Sequence, residues 1–426
     1  MQLKNHVKAI KGEILVPGDK SVSHRAIMFA SIAEGTSTIK GLLKSEDVLA
    51  TIKAFLEMGI KIEEKDNVFI IEGKGFSGLS QAHKPLDLGN SGTSMRLLSG
   101  ILATCPFKTV LTGDDSLSNR PMDRIVKPLR QMGLDIAGQG EKHYPPLVIN
   151  GNTVLRPIHY QLPVASAQVK SALLFAALNT EGNSEIIEKQ LTRSHTEEMI
   201  KQFGGKLTQK ELQITISGIQ KLKGSHVNVP GDISSAAFWM VAGLIVDNAH
   251  LRLKHVGINP TRTGIIDVIQ KMNGKISISK SNNDNTADIV VESSDLVGTM
   301  IEGDIIPRLI DELPIIALLA TQAKGQTIIR DAQELKVKES NRIALVTEIL
   351  SSMGANIKAT EDGMIINGKT NLHATTVDCK GDHRIGMMTV IASLIVDDGN
   401  IELVGHETIA TSYPQFFEDL RSIIGE

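Results

Sequence analysis

Six times along the 426-residue chain an amphipathic run ends in a bulky apolar residue followed by a helix-stopping Gly or Asn-Gly. The marks are Met58-Gly59, Met132-Gly133, Phe203-Gly204, Met272-Asn273-Gly274, Met353-Gly354 and Ile424-Gly425. They lie about 70 to 80 residues apart, and such equal spacing is the signature of a repeated supersecondary unit. Each interval reads alike. A loop of Gly, Asp and Ser ("PGDKS", "LGNSGT", "PVASAQ", "PGDISS", "KGDHR") opens an apolar helix. A short β-branched strand follows, then a second helix that ends at the mark, then further strands. The predicted order is strand, helix, strand, helix, strand, strand.

The two helices of each repeat differ in kind. "SALLFAALN", "AAFWMVAGLIV" and "LPIIALLATQA" are apolar on every face and belong inside a fold, with the sheets around them. "DVLATIKAFLEMG" and "HTEEMIKQFGG" carry a polar face and belong nearer solvent. The pattern predicts an α/β chain of two domains with three βαβαββ repeats each. "LVPGD" (Leu15 to Asp19) is echoed by "NVPGD" (Asn228 to Asp232), and both Pro-Gly pairs read as turns. If the chain crosses between domains at both echoes, one domain holds residues 19–230. The other holds residues 1–18 with 231–426, and the active site is expected in the cleft between them.

Composition narrows the function. A net charge of -3 argues against a general nucleic-acid or membrane-surface binder, so any anion site must be a local gathering of cations. Aromatic residues make up 3%, too few for base-stacking platforms. The two cysteines, Cys105 and Cys379, stand in no metal-ligand spacing and read as buried unpaired thiols. The charged N-terminal "MQLKNHVKAIKG" is no signal peptide, and no apolar run reaches about 20 residues, so a cytoplasmic protein is expected.

The candidate residues gather at the repeat openings, where buried helix starts present free backbone amides to anions. Lys20, Ser21 and Arg25 open the first repeat, with Ser21 and Arg25 one turn apart and Ser21 or Ser23 able to cap. Gly89 and Gly92 in "LGNSGTSMRLLSG" allow close approach to the backbone, and Ser91, Thr93 and Ser94 offer hydroxyls. Arg120 precedes Pro121, a residue suited to a first helical position. Capping explains Ser166 and Gln168 as readily as ligand contact does. Asp311 and Glu312 precede a buried helix; one suits the dipole, the other suits a general base. In "KVKESNRIALVTEIL", Lys338 and Arg342 are four apart on one predicted helical face, with Glu339 between them. Asp382, His383 and Arg384 open the last repeat, and His383 reads as a structural histidine rather than a metal ligand.

The strings "PGDKSVSHR", "LGNSGTSMRLLSG", "NRPM", "KVKESNR", "GDHRI" and "TSYPQFF", in that order, resemble those of the enolpyruvyl transferases, over nearly the whole chain. The likeness is to the branch acting on shikimate-3-phosphate. It implies a two-domain inside-out α/β barrel and a metal-free, cofactor-free transfer of the enolpyruvyl group of phosphoenolpyruvate (PEP). The acceptor is the 5-hydroxyl of shikimate-3-phosphate, and the step leads to chorismate and aromatic amino acids. By the family pattern Lys20, Ser21, Arg25, Ser166, Gln168, Asp311 and Lys338 hold shikimate-3-phosphate. Lys20, Gly92, Arg120, Gln168, Arg342 and Arg384 hold PEP. Asp311 takes the hydroxyl proton, while Glu339 and Lys20 serve proton transfer at PEP carbon 3. Two substrates with one phosphate and one carboxylate each carry roughly -5 to -6, which Lys20, Arg25, Arg120, Lys338, Arg342 and Arg384 nearly balance. A monomer is expected, with small-molecule substrates as its only partners.

The chain also departs from the pattern. Thr411 and Ser412 stand where some relatives have a Lys. Glu334, Asn341 and Ala167 replace an Asn, an Asp and a Ser, and a sugar-contacting Tyr is missing from "LTRSHTEE", where Arg193 or Ser194 could substitute. These changes resemble variants less sensitive to the PEP mimic glyphosate, whereas Gly92 is the residue type that accommodates it. A sister activity on UDP-N-acetylglucosamine is disfavoured, because the loop "GDDSLSNRP" lacks that branch's Cys. A non-catalytic repeat protein that binds anions is the alternative from another class; solenoids show surface grooves rather than recurrent cationic helix starts.

Overall fold

A computed structural model describes residues 1–3, 6–152, 154–281 and 285–425. The chain forms two compact units, one of Met1–Asp19 with Pro230–Glu426 and one of Lys20–Val229.

Among the described residues, the Lys20–Val229 unit holds three four-stranded sheets. One orders Leu86–Asp87, Lys108–Thr112, Tyr144–Asn150 and Asp135–Gln139; another orders His159–Gln161, Asn183–Ile187, Gln213–Ser217 and Thr208–Lys210. In both, the first two strands are parallel and the rest antiparallel. Parallel neighbours need a crossover, and here it is an apolar helix: Gly92–Leu102 in one repeat, Ala167–Leu178 in the other. The first repeat departs from strict succession. Its strand Glu34–Lys40 takes His226–Asn228 as parallel partner, from the far end of the unit.

The other unit shows the reciprocal arrangement. Lys11–Leu15 pairs in parallel with His250–Gly257, heading a sheet completed by Thr286–Glu292 and Lys275–Lys280. Its second sheet orders Met300–Ile301, Gly325–Ile329, Met364–Gly368 and Asn356–Ala359. The sixth repeat corrects the expectation of six equal units. It has the parallel pair Thr376–Asp378 and Glu402–Val404 but, among the described residues, no closing hairpin after its last helix, Phe416–Ile424. Residues of the N-terminus stand beside that pair instead. Leu3 N donates to Ile401 O at 2.9 Å, and Leu403 N donates to Met1 O at 2.8 Å.

Helix burial follows the apolar pattern. Every residue of Leu313–Thr321 and of His383–Ser393 is buried, as are Ile233 to Leu244 of the helix Ile233–Ile245, and these three helices pack on one another. In the second unit Lys20–Ile32 packs on Gly92–Leu102, which packs on Ala167–Leu178. A buried helix start would leave amides unsatisfied. Side-chain caps supply partners at Ser91, Ser166, Asp232 and Asp382. All six marks lie at helix ends, and the residue that closes each (Gly59, Gly133, Gly204, Asn273, Gly354, Gly425) has φ between 63° and 95°. Among the described residues no helix is long and apolar enough to cross a membrane.

Two local expectations fail. The helix after Arg120 starts at Asp123, so Pro121 lies ahead of its first turn. The helix after Lys338 starts at Arg342, capped by Asn341, so Lys338 and Arg342 do not share a helical face.

Gly100 shows how closely the inner helices approach. A Cβ built there would lie 2.1 Å from the carbonyl oxygen of Ala172. Gly100→Ala must therefore push these buried helices apart, and we expect it to cost about 1–3 kcal/mol of stability, read as a lowered denaturation midpoint with an unchanged m-value.

Candidate functional site: polar clusters at the starts of the inner helices

In the Lys20–Val229 unit the cationic opening of the first helix is tied to its neighbours. Lys20 Nζ donates to Asp47 Oδ2 at 2.7 Å, and Asp47 sits in the acidic first turn of the helix Glu46–Glu57. Arg25 is buried. Its Nε donates to Thr196 Oγ1 at 2.7 Å, its Nη2 to Ser171 Oγ at 2.8 Å and its Nη1 to the Ser21 carbonyl at 3.0 Å. Arg193 Nη1 reaches Ser21 Oγ at 3.2 Å. The two serines turn their hydroxyls elsewhere than to a cap: Ser21 takes Arg193, and Ser23 Oγ accepts from Leu43 N at 3.0 Å. Behind them His24 Nδ1 meets Thr51 Oγ1 at 2.7 Å, Thr51 meets Ser94 Oγ at 2.7 Å, and Ser94 meets Ser91 Oγ at 2.6 Å. Burial, then the charges of Lys20 and Arg25, push the His24 pKa well down, so the ring adds no charge. Lys170, buried between Glu188 (3.1 Å) and Glu197 (2.6 Å), braces the helices that carry Ser171 and Thr196.

Two guanidiniums converge on Gly92. A Cβ there would lie 2.7 Å from Arg96 Nη1 and 3.3 Å from Arg120 Nη1. Arg120 is fixed by Asn90 Oδ1 at 2.6 Å and Ser116 Oγ at 3.0 Å. Arg96 donates to Gln168 Oε1 at 2.9 Å, and Gln168 Nε2 donates to Thr93 Oγ1 at 2.9 Å. Ser166 accepts from Val169 N at 3.4 Å, capping the helix that carries Gln168. Lys20, Ser21, Arg25, Gly92, Arg120, Ser166 and Gln168 thus stand at or beside the starts of three inner helices.

In the other unit the remaining residues form a second cluster. Asp311 accepts from Lys338 Nζ at 3.0 Å and Arg342 Nη1 at 3.4 Å, so Lys338 and Arg342 meet through a shared carboxylate. Arg342, 1% exposed, grips Asp382 with two bonds, Nε to Oδ2 at 2.8 Å and Nη2 to Oδ1 at 3.1 Å, and reaches Glu339 Oε2 at 2.6 Å. Burial opposes its charge, but Asp382, then Glu339 and Asp311, overcome that and drive its pKa up. Asp382 also accepts from Arg384 N at 3.1 Å, fixing the helix start that carries Arg384. His383 Nδ1 pairs with Ser412 Oγ at 2.6 Å, beside Thr411.

These pairings revise the charge balance. Among the residues of the second cluster, Lys338, Arg342 and Arg384 are matched by Asp311, Glu339 and Asp382, so that cluster is formally neutral. In the first cluster Lys20 pairs with Asp47 and Lys170 with Glu188 and Glu197, while Arg25, Arg96, Arg120 and Arg193 donate to hydroxyl, carbonyl and amide oxygens. The Asp311 cluster holds its carboxylates by cations, an arrangement suited to proton transfer. Sequence reasoning missed Asp47, Arg96, Ser171 and Thr196. Arg96 was within reach, because it lies one turn beyond Gly92. Asp47 was not: an acid in a helix's first turn is ordinary dipole complementation.

A family model described as EPSP synthase (3-phosphoshikimate 1-carboxyvinyltransferase) matches residues 4–420. A curated 3-phosphoshikimate 1-carboxyvinyltransferase of Streptococcus equi subsp. zooepidemicus is 60% identical over 424 residues, 99% of each chain, and one of Streptococcus gordonii is 58% identical over the same share. Among solved structures, an EPSP synthase of Acinetobacter baumannii superposes with a TM-score of 0.87 at 44% identity, covering 99% of this chain and 97% of that one. The enolpyruvyl transferase NikO of Streptomyces tendae shares the fold, with a TM-score of 0.80 at 17% identity, over 99% and 97% of the two chains.

Neither thiol is poised for chemistry. Burial pushes the Cys105 pKa up to about 12 and also raises that of Cys379, so both remain protonated at neutral pH. We expect iodoacetamide at pH 7.5 to leave the folded protein unmodified and to alkylate both cysteines once it is unfolded, as read by intact mass.

Proposed function

The chain belongs to the EPSP synthase family, and from that premise we propose that it transfers the enolpyruvyl group of PEP to the 5-hydroxyl of shikimate-3-phosphate. The reaction releases phosphate and is the shikimate-pathway step toward chorismate. Lys20, Ser21, Arg25, Ser166, Gln168, Asp311 and Lys338 hold shikimate-3-phosphate. Lys20, Gly92, Arg120, Gln168, Arg342 and Arg384 hold PEP. The observation that carries this reading is the convergence of Arg96 and Arg120 on Gly92. With no Cβ there, an anion reaches the start of a buried helix between two guanidiniums.

The chemistry follows from charge. Glu339 and Lys20 deliver a proton to PEP carbon 3, making carbon 2 cationic. Asp311 accepts the proton of the 5-hydroxyl as its oxygen attacks carbon 2, giving a tetrahedral ketal. Loss of phosphate from carbon 2 and of a proton from the new methyl group restores the double bond as an enol ether. Asp311 suits the base because Lys338 and Arg342 hold its carboxylate in place. A membrane-free, monomeric enzyme in the cytoplasm fits two small soluble substrates. The sister activity on UDP-N-acetylglucosamine is disfavoured because the loop "GDDSLSNRP" holds no Cys and Cys105 lies earlier in the chain.

The test is phosphate release from PEP. We expect release only when shikimate-3-phosphate is also present, and none with UDP-N-acetylglucosamine. Asp311→Asn should lower kcat by about 10²–10⁴-fold, the usual worth of one acid–base group. Lys20→Ala and Arg120→Ala should likewise impair turnover while the circular dichroism spectrum stays native. Normal turnover in all three variants would remove the site; release with UDP-N-acetylglucosamine alone would remove the substrate.

A further inference from the structure

We propose that Arg262 is a positioning residue for this reaction: it clasps the segments by which the chain leaves and re-enters its own unit and, through Ser234 and Glu312, fixes the backbone that carries Asp311. The proposal rests on the reading of Asp311 as the base.

Arg262 is 3% exposed and lies outside every motif that carries the family likeness. Its Nη1 donates to Asp19 Oδ2 at 2.9 Å, and its Nη2 donates to Asp232 Oδ1 at 3.2 Å and Ser234 Oγ at 2.7 Å. Asp19 and Asp232 occupy the same place in the two Pro-Gly-Asp echoes. Those echoes lie side by side: Asp19 N donates to Pro230 O at 2.7 Å, Asp232 N donates to Pro17 O at 2.8 Å, and Gly18 bridges Gly231. One planar fork thus joins two chain segments far apart in sequence. An ammonium could not reproduce that geometry. The backbone behind the fork is itself held, since Arg262 N donates to Asn259 O at 2.8 Å and Asn259 Oδ1 accepts from Thr261 N at 2.9 Å.

The network then runs toward the chemistry. Ser234 Oγ, which accepts from Arg262, donates to Glu312 Oε1. Glu312 is 1% exposed, and its backbone is fixed on both sides: its N donates to Leu309 O at 2.9 Å, and its O accepts from Ile316 N at 3.0 Å. Asp311 immediately precedes it, and Lys20 immediately follows Asp19. The clasp therefore ends one residue away from two of the groups assigned to catalysis. It acts on them through the backbone they share with Glu312 and Asp19.

The experiment compares Ser234→Ala, Arg262→Lys and Asp311→Asn in the full chain, by steady-state phosphate release at a temperature where circular dichroism shows each variant folded. Ser234→Ala cuts the link to Glu312 while leaving the Arg262 charge paired with Asp19 and Asp232. We expect it to lower kcat about tenfold while KM for both substrates stays within about twofold, since misplaced groups lose rate rather than affinity. Arg262→Lys should lose at least as much. The double variant Ser234→Ala/Asp311→Asn should be no slower than Asp311→Asn alone, because both changes act through one group. Unchanged kcat in Ser234→Ala and Arg262→Lys, or additive losses in the double variant, would overturn the inference while leaving the assigned reaction standing. A fully active Asp311→Asn would instead overturn the reading of the base on which it rests.

Discussion

Among the described residues six helices are buried along almost their whole length, and that constraint organises both units. Each helix lies inside with the sheets outside it, and four of them, Gly92–Leu102, Ala167–Leu178, Leu313–Thr321 and His383–Ser393, lie in the crossovers between parallel strand partners. Burying a helix end is costly unless its first amides find partners. Ser91, Ser166, Asp232 and Asp382 meet that need with side-chain caps. The same ends gather the polar residues of the candidate site. The site is thus a by-product of where an inside-out fold must place its polar groups.

The cations assigned to substrate do not wait bare for an anion. Lys20 holds Asp47, Lys338 holds Asp311, and Arg342 is gripped by Asp382. Isolated charges in such surroundings would be costly, so internal carboxylates fix each side chain in a defined place. The division of labour between the clusters follows. Around Gly92 the guanidiniums of Arg96 and Arg120 donate to the Gly92 and Asn90 carbonyls and to Gln168, Asn90 and Ser116 side-chain oxygens, bonds that orient them. Around Asp311 the charges cancel, and what remains is a set of proton acceptors and donors held rigid.

Much of this was legible in the residues. The repeat marks, the apolar helices and the cationic openings are local patterns, and local patterns survive in sequence. The helix stops at Met58-Gly59 and Met353-Gly354 were readable because a left-handed backbone selects Gly. What escaped depends on neighbours distant in the chain. Asp47 is chemically ordinary until Lys20 is placed against it. The Pro-Gly-Asp echoes offered a possible crossing of the chain beside Lys11–Leu15 and His226–Asn228, but no local pattern names the strand with which each of these pairs. Lys338 and Arg342 were expected to meet along a helix; they meet through Asp311, because the helix begins only at Arg342. The roles of Glu339 and Arg384 were carried by family likeness, and periodicity alone would not have supplied them.

The strand Lys11–Leu15 finds its partner at His250–Gly257, and Met1 to Leu3 find theirs at Ile401 to Leu403. On a ribosome these residues are made long before their partners downstream. The Lys20–Val229 segment, uninterrupted, is complete and free to collapse while they wait. Nascent chains therefore carry Lys11–Leu15 unpaired until His250–Gly257 has been made. "EILVP" is short and flanked by charges, which limits its appeal to other edges in the interval. A nonsense truncation anywhere before residue 401 would leave Met1 and Leu3 without the backbone partners they have at Ile401 and Leu403.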